Sequence, residues 1–182
     1  MLGAGLVFES QAAGIDERVV EAQLSADRSK PPEVAVELAK EKALWVSARN
    51  ADAYVVGSDQ VLSLSDRVFH KPQTMVEAAD HIRTLSGKTH HLNCGVAIAF
   101  RGKIVWSAIS IVAMTMREIS PSFLKIYLDM AGPGILDSVG AYQFEGPGVQ
   151  LFEKIEGDYF TILGLPMLAL LSGLRELEVI DA

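Results

Sequence analysis

The sequence predicts an α/β or α+β fold built on a mixed β-sheet with helices packed against it. Three observations carry this. Apolar residues recur at helical spacing from Glu33 to Arg49, with Val34, Leu38 and Trp45 beside Ala35, Ala39 and Val46. Two long β-like stretches, Thr89 to Phe100 and Lys103 to Met116, flank Arg101-Gly102, a hairpin turn signal. Helical and strand-like segments then alternate irregularly, which suits a mixed sheet better than a regular doubly wound one.

The elements follow in order. Ala22 to Pro32 reads as coil, and Pro31-Pro32 opens the first amphipathic helix, where a missing N–H costs nothing. Ala53-Tyr-Val-Val reads as a short buried strand ending in a turn, Gly57-Ser-Asp-Gln60. Val61–Leu64 and Arg67–His70 form a small hairpin through Ser65-Asp66. Thr74 and Glu77 make a capping box for a helix carrying Met75, Ala78, Ala79, Ile82 and Leu85, which Gly87 ends. Ser120-Pro121 opens another helix, stopped by Gly132. Val139–Phe144 and Val149–Ile155 are strand-like around Gly146-Pro-Gly148, and a helix from about Leu165 to Val179 closes the chain.

The 182 residues suit one domain, at most a domain with two lobes. With 49% hydrophobic and 21% charged residues the chain can bury a real core. Acidic residues number 23 against 16 basic ones, a net charge of −7. That argues against duplex nucleic acid as a partner, but not against a small nucleotide, which needs only a few placed cations. A single cysteine, Cys94, excludes a disulfide framework and a Cys-based zinc site and fits a reducing cytoplasm. The start lacks the basic residues and long apolar run of a signal peptide. No stretch reaches the roughly 18 apolar residues of a membrane span.

Four segments could carry chemistry. Asp59 follows a buried strand, where α/β sheets place ligands, and could hold a divalent metal or draw a proton from water. Asp16-Glu17 could supply a magnesium ligand. Lys42 and Lys71 could act as point charges on phosphate. The segment from Gly140 to Gly148 could let a ligand approach closely, with Glu145 accepting hydrogen bonds from a base edge. Taken singly, each has a plain structural explanation: turn chemistry, a solvated acidic turn, wet helix faces and a tight connection. The adjacent His90 and His91 point to opposite faces of a strand and cannot share a metal, and His70 and His81 have no partner at ligand spacing. Cys94 and the helical aromatics read as core.

Taken together, these pieces resemble the Maf family of nucleoside triphosphate pyrophosphatases. The matching segments run in family order: Ile15-Asp-Glu17, Leu38-Ala-Lys-Glu-Lys-Ala43, Gly57-Ser-Asp-Gln60 and Lys71-Pro72. Leu85-Ser-Gly-x-x-His90, Gly140-Ala-Tyr-Gln-Phe-Glu-Gly146 and Ile155-Glu-Gly-Asp-Tyr…Leu163-Gly-Leu-Pro166 complete them. The resemblance covers residues 1–182 as a single domain. It implies the elongated two-lobed α/β fold of inosine triphosphate pyrophosphatases, a nucleotide in the cleft and a homodimer. It implies hydrolysis of a nucleoside triphosphate to monophosphate and pyrophosphate with Mg²⁺ or Mn²⁺. Asp59 matches the general base and a metal position. Glu17 matches a metal position, and Lys42 and Lys71 match phosphate-binding ones. Gln60 and Glu145 look like the subfamily preferring 7-methyl-GTP rather than dTTP or UTP. A carboxylate suits guanine, whose N1–H and N2–H₂ both donate, and suits a cationic methylated guanine further.

The sequence departs from the family pattern at its start. The family begins with a strand and Ser-x-Ser-Pro-x-Arg-Arg, and Met1 falls beyond both. Arg18 and Arg28 are misplaced to substitute for the arginine pair. The resemblance therefore leaves three expectations: an enzyme whose start lies upstream, an impaired nucleotide- or partner-binding protein in a family linked to septum formation, or an enzyme running the same reaction on dTTP or UTP.

Overall fold

The computed structural model describes residues 1–26 and 30–181. Helices α1 (Glu17–Ala26) and α2 (Pro31–Ser47) precede strand β1 (Val55–Leu64) and the short β2 (Arg67–Phe69). Helix α3 (Met75–Leu85), the long strands β3 (Thr89–Phe100) and β4 (Lys103–Met116) and helix α4 (Pro121–Ala131) follow. Three 3₁₀ turns lead to β5 (Phe152–Glu156), and α5 (Tyr159–Ile162) and α6 (Met167–Glu176) close the chain. The strands form one five-stranded sheet in the order β2-β1-β3-β4-β5. β1 and β2 pair antiparallel with Leu62 opposite Phe69, and β4 and β5 pair antiparallel with Met114 opposite Ile155. Arg101 (φ 49°) and Gly102 (φ 72°) join β3 to β4 in a two-residue turn whose positive φ pair is the type I′ geometry. A two-residue loop between neighbouring strands makes them antiparallel.

The chain forms two compact units. The first comprises Met1–Gln60, Cys94–Ser110 and Gly164–Ala182, and the second Val61–Asn93 and Ile111–Leu163. In the first unit β3 sorts its side chains by size. Gly95, Ala97 and Ala99 alternate with Val96 and Ile98, so small residues line one face and large ones the other. The large face packs with Met167, Leu170 and Leu174 of α6. The small face meets α2, whose Ala35, Ala39 and Ala43 recur every four residues and are fully buried. Contact there is backbone on backbone. A Cβ at Gly57 would overlap the Ala39 carbonyl, and one at Gly95 the Ala35 carbonyl. Glu33 supports the start of α2, its carboxylate accepting from the Lys30 backbone N–H at 2.8 Å.

The second unit buries Leu62, Ile82, Leu85, Leu92, Met114, Met116 and Tyr127 in one cluster. Thr74 caps α3, accepting from Glu77 N–H, while Glu77 accepts from the backbone N–H of Gln73 rather than of Thr74. His90 is fully buried, with Nε2 2.8 Å from the Tyr142 hydroxyl and its Nδ1 without a partner. Burial, and secondarily His91, push His90 down to about 4, and burial also lowers His81.

Several expectations change. Gly57–Gln60 is not a turn but the middle of β1: its glycine answers a close approach of α2, not a reversal of the chain. Residues 22–26, read as coil, belong to α1, while Arg28 lies outside the described residues. Val139–Phe144 is not a strand. Gly140 (φ 78°) and Ala141 (φ 61°) are left-handed, and the Ala141 carbonyl accepts from the Tyr127 hydroxyl at 2.9 Å. Residues 149–151 are 3₁₀, so only the second half of Val149–Ile155 is strand. The final helix is shorter than expected, and α5 precedes it.

Two stability predictions follow from these cores. Gly95→Ala has no room beneath α2 and should lose about 1–3 kcal/mol, read as a lower urea midpoint at unchanged slope. His90 binds its proton more weakly folded than unfolded, so stability falls as pH drops from about 6.5 toward 4. Between pH 7 and pH 5 that is about 2 kcal/mol. His90→Gln should lose distinctly less over the same interval in urea titrations.

Candidate functional site

The site grows from the α2–β1 contact. Asp59 lies two residues beyond Gly57 and therefore on the strand face that α2 covers. Lys42 precedes Ala43, which packs against Gly57. Its ammonium donates to Asp59 Oδ1 at 2.6 Å and to Glu17 Oε1 at 2.7 Å. Glu17 is in the first helical turn of α1, not in a loop. Asp16 caps that helix, accepting from the backbone N–H groups of Arg18 (3.1 Å) and Val19 (3.3 Å). So of the adjacent carboxylates one serves the backbone and the other the site. Burial pulls the Lys42 ammonium down, but the Asp59 and Glu17 carboxylates more than offset it, and the net shift is upward.

Ser58 points to the opposite face. Its hydroxyl is 2.9 Å from the carbonyl oxygens of both Gly95 and Gly164, donating to one at a time. It thereby ties β1 to β3 and to the segment before α6. Cys94 is 3.7 Å away and fully buried, and burial pushes its thiol up to about 12, so it is an inert core residue. Gln60 is half-buried beside Asp59.

Lys71 and Glu145 belong to the second unit. Lys71 is exposed and precedes the buried Pro72. Glu145 is exposed in a loop that folds on itself: a Cβ at Gly148 would overlap the Gln143 carbonyl, and the Gln143 side chain donates to Gly134 O at 3.1 Å. Glu145 Oε1 accepts from the Tyr159 hydroxyl at 3.3 Å. The structure thus brings Glu17, Lys42 and Asp59 into direct contact. Glu145 instead has a different partner, Tyr159.

Comparison with known proteins gives this arrangement its relatives. The family described as Maf-like protein matches residues 1–177. The chain belongs to the Maf-like protein family. It is 55% identical over 181 residues to a Rhizobium etli protein named 7-methyl-GTP pyrophosphatase, covering 100% of this chain and 91% of that one. A Rhizobium meliloti protein of the same name is 54% identical over 179 residues, 98% of this chain and 90% of its own. A Bradyrhizobium diazoefficiens protein named nucleoside triphosphate pyrophosphatase is 47% identical over 180 residues, covering 99% and 88%.

This Maf-like protein can offer a divalent cation two hard oxygens, from Glu17 and Asp59, that already converge on one cation, the Lys42 ammonium. Among the described residues no group of three or more His, Cys, Asp or Glu is placed to hold a metal ion. The donor set fits magnesium, which takes one or two carboxylates and completes its shell with water and substrate phosphates. Sequence reasoning passed over Ser58 and Tyr159, although both lie inside the quoted motifs. The signal for Tyr159 was its place after Asp158, a helix cap that fixes where α5 starts.

The ion pair predicts a titration. Lys42 holds its proton more tightly folded than unfolded, so its contribution to stability is present below the ordinary lysine range and lost as pH rises through the raised folded value. Asp59→Asn removes the main opposing charge and leaves the burial. Carbon-detected NMR of labelled lysine should show Lys42 titrating at lower pH in Asp59→Asn than in the wild type.

Proposed function

We propose that this protein hydrolyses a nucleoside triphosphate to the monophosphate and pyrophosphate, with a 7-methylated guanine nucleotide as preferred substrate. The observation that carries the reading is the Glu17–Lys42–Asp59 contact, in a chain whose relatives bear pyrophosphatase names. Attack of water on a phosphoryl group needs an oriented water, a proton acceptor and positive charge near the phosphate oxygens. Asp59 is the acceptor. Its side chain is one-tenth exposed, so the carboxylate is sheltered without being cut off from water. Lys42 donates to Asp59 at 2.6 Å, which positions the carboxylate, and presents its ammonium to the triphosphate as a point charge. Lys71 supplies a second cation to the phosphates.

Glu17 and Asp59 would hold a magnesium or manganese ion, which when bound offsets charge on the phosphate oxygens. Gln60 and Glu145 read the base, and Glu145 suits the donor edge of guanine. The names of the two rhizobial relatives support the methylated base over dTTP or UTP. The same reading assigns the reaction to a reducing cytoplasm, in keeping with the buried Cys94 thiol. It also assigns a homodimer. Among the described residues no helix is long and apolar enough to cross a membrane.

Pyrophosphate release with Mg²⁺ or Mn²⁺ across 7-methyl-GTP, GTP, dTTP, UTP and CTP tests the proposal. Turnover should be led by 7-methyl-GTP. Asp59→Asn should lower kcat by a factor of about 10²–10⁴, the usual contribution of a positioned general base. Unchanged turnover in Asp59→Asn would remove the assigned base.

A further inference from the structure

Glu145 has one side-chain partner whose construction exceeds what packing requires. Tyr159 is the first residue of α5, and its direction is fixed at the backbone. Asp158 caps the helix, accepting from the Thr161 backbone N–H at 2.9 Å and from the Thr161 hydroxyl at 3.0 Å. The far end of the side chain has a partner as well, its hydroxyl donating to Glu145 Oε1 at 3.3 Å. Two aromatic rings brace it between: Phe144 at 6.2 Å and 64°, and Phe160 at 5.9 Å and 69°, both edge-to-face. Yet Tyr159 remains 47% exposed and Phe160 41%. A ring with a hydrogen-bonded hydroxyl and two aromatic neighbours, yet with nearly half its surface in water, is an aromatic platform open to a ligand rather than a core residue.

We propose that Tyr159 is a specificity-determining residue, whose ring stacks the nucleobase while its hydroxyl orients the Glu145 carboxylate toward the base's N–H edge. The inference rests on the pyrophosphatase reading above. Its chemistry follows from the two contacts. Every base has a π face, so stacking alone gives affinity without selectivity. A base laid over the ring brings its edge within reach of Glu145, because the hydroxyl end of the ring already lies 3.3 Å from that carboxylate. An N7-methylated purine also carries positive charge, which both an electron-rich ring and a carboxylate attract. The pair therefore favours a cationic purine over its neutral parent, and either over a pyrimidine. Burial and the neighbouring Glu145 charge push the Tyr159 phenol up, so it remains a donor at neutral pH.

The test is calorimetric binding of 7-methyl-GMP and GMP to the full chain, with steady-state kinetics on 7-methyl-GTP and GTP. Tyr159→Leu should weaken 7-methyl-GMP binding about 10- to 100-fold and raise KM far more than it lowers kcat. It should narrow the preference over GMP, at an unchanged melting temperature. Tyr159→Trp should restore the binding, and Tyr159→Phe should keep most of the affinity while losing part of the selectivity. Wild-type affinity and selectivity in Tyr159→Leu, with selectivity altered in Glu145→Gln, would overturn the role of Tyr159 and leave base reading by Glu145 standing. Unchanged selectivity in both variants would overturn both. A Tyr159→Leu chain that loses kcat and melting temperature with KM and selectivity intact would make Tyr159 a packing residue and overturn the proposal.

Discussion

The contact between three alanines and two glycines governs the candidate site. Ala35, Ala39 and Ala43 bring α2 onto β1 and β3 at Gly57 and Gly95, with no side chain between the backbones. That approach sets the separation of helix and sheet, and with it the distance between Lys42 and Asp59, one residue before and two residues after the contact points. A larger residue on either surface would lift the helix and open a 2.6 Å ion pair that needs both partners in place. The charged site is thus held by an apolar interface with almost no side chains. Close-packed interiors resist such displacement because they are not continuously deformable.

The fold was legible where local chemistry and tertiary packing agree. The β3–β4 hairpin is read directly from Arg101-Gly102, because a two-residue turn with both φ positive needs no help from distant residues. Helices α2, α3 and α4 carry their starts in sequence, at Pro31, Thr74 and Ser120. Two of the misreadings share one physical source. Glycine signals a turn and a close approach equally well, and only the tertiary neighbour decides between them. At Gly57 the neighbour is Ala39, so the segment runs on as strand. At Gly140 the conformation is left-handed, so the apparent strand is a turn, held by Tyr127 and by the buried His90–Tyr142 pair.

The candidate site was legible in its members but not in its contacts. Glu17, Lys42 and Asp59 are distant in sequence, and no spacing rule connects them. The family motifs named them, and the geometry explains why Asp16 and Glu17 part company at the start of α1. Tyr159 was hidden for the opposite reason. An aromatic after a short loop has no periodicity to mark it, and its significance lies in a partner 14 residues away and in its own exposure.

The first unit is assembled from three separate stretches of chain, the last of which is Gly164–Ala182. During synthesis α2, β1 and β3 leave the ribosome before α6, and the large face of β3 waits for α6 to cover Val96 and Ile98. The unit that carries Lys42 and Asp59 therefore cannot finish its core until α6 is made. Contacts so distant in sequence close slowly, and the uncovered strip is a sticky surface in the meantime. A truncation within α6 would therefore uncover Val96 and Ile98 and loosen the unit that also carries Lys42 and Asp59, far from the cut in sequence.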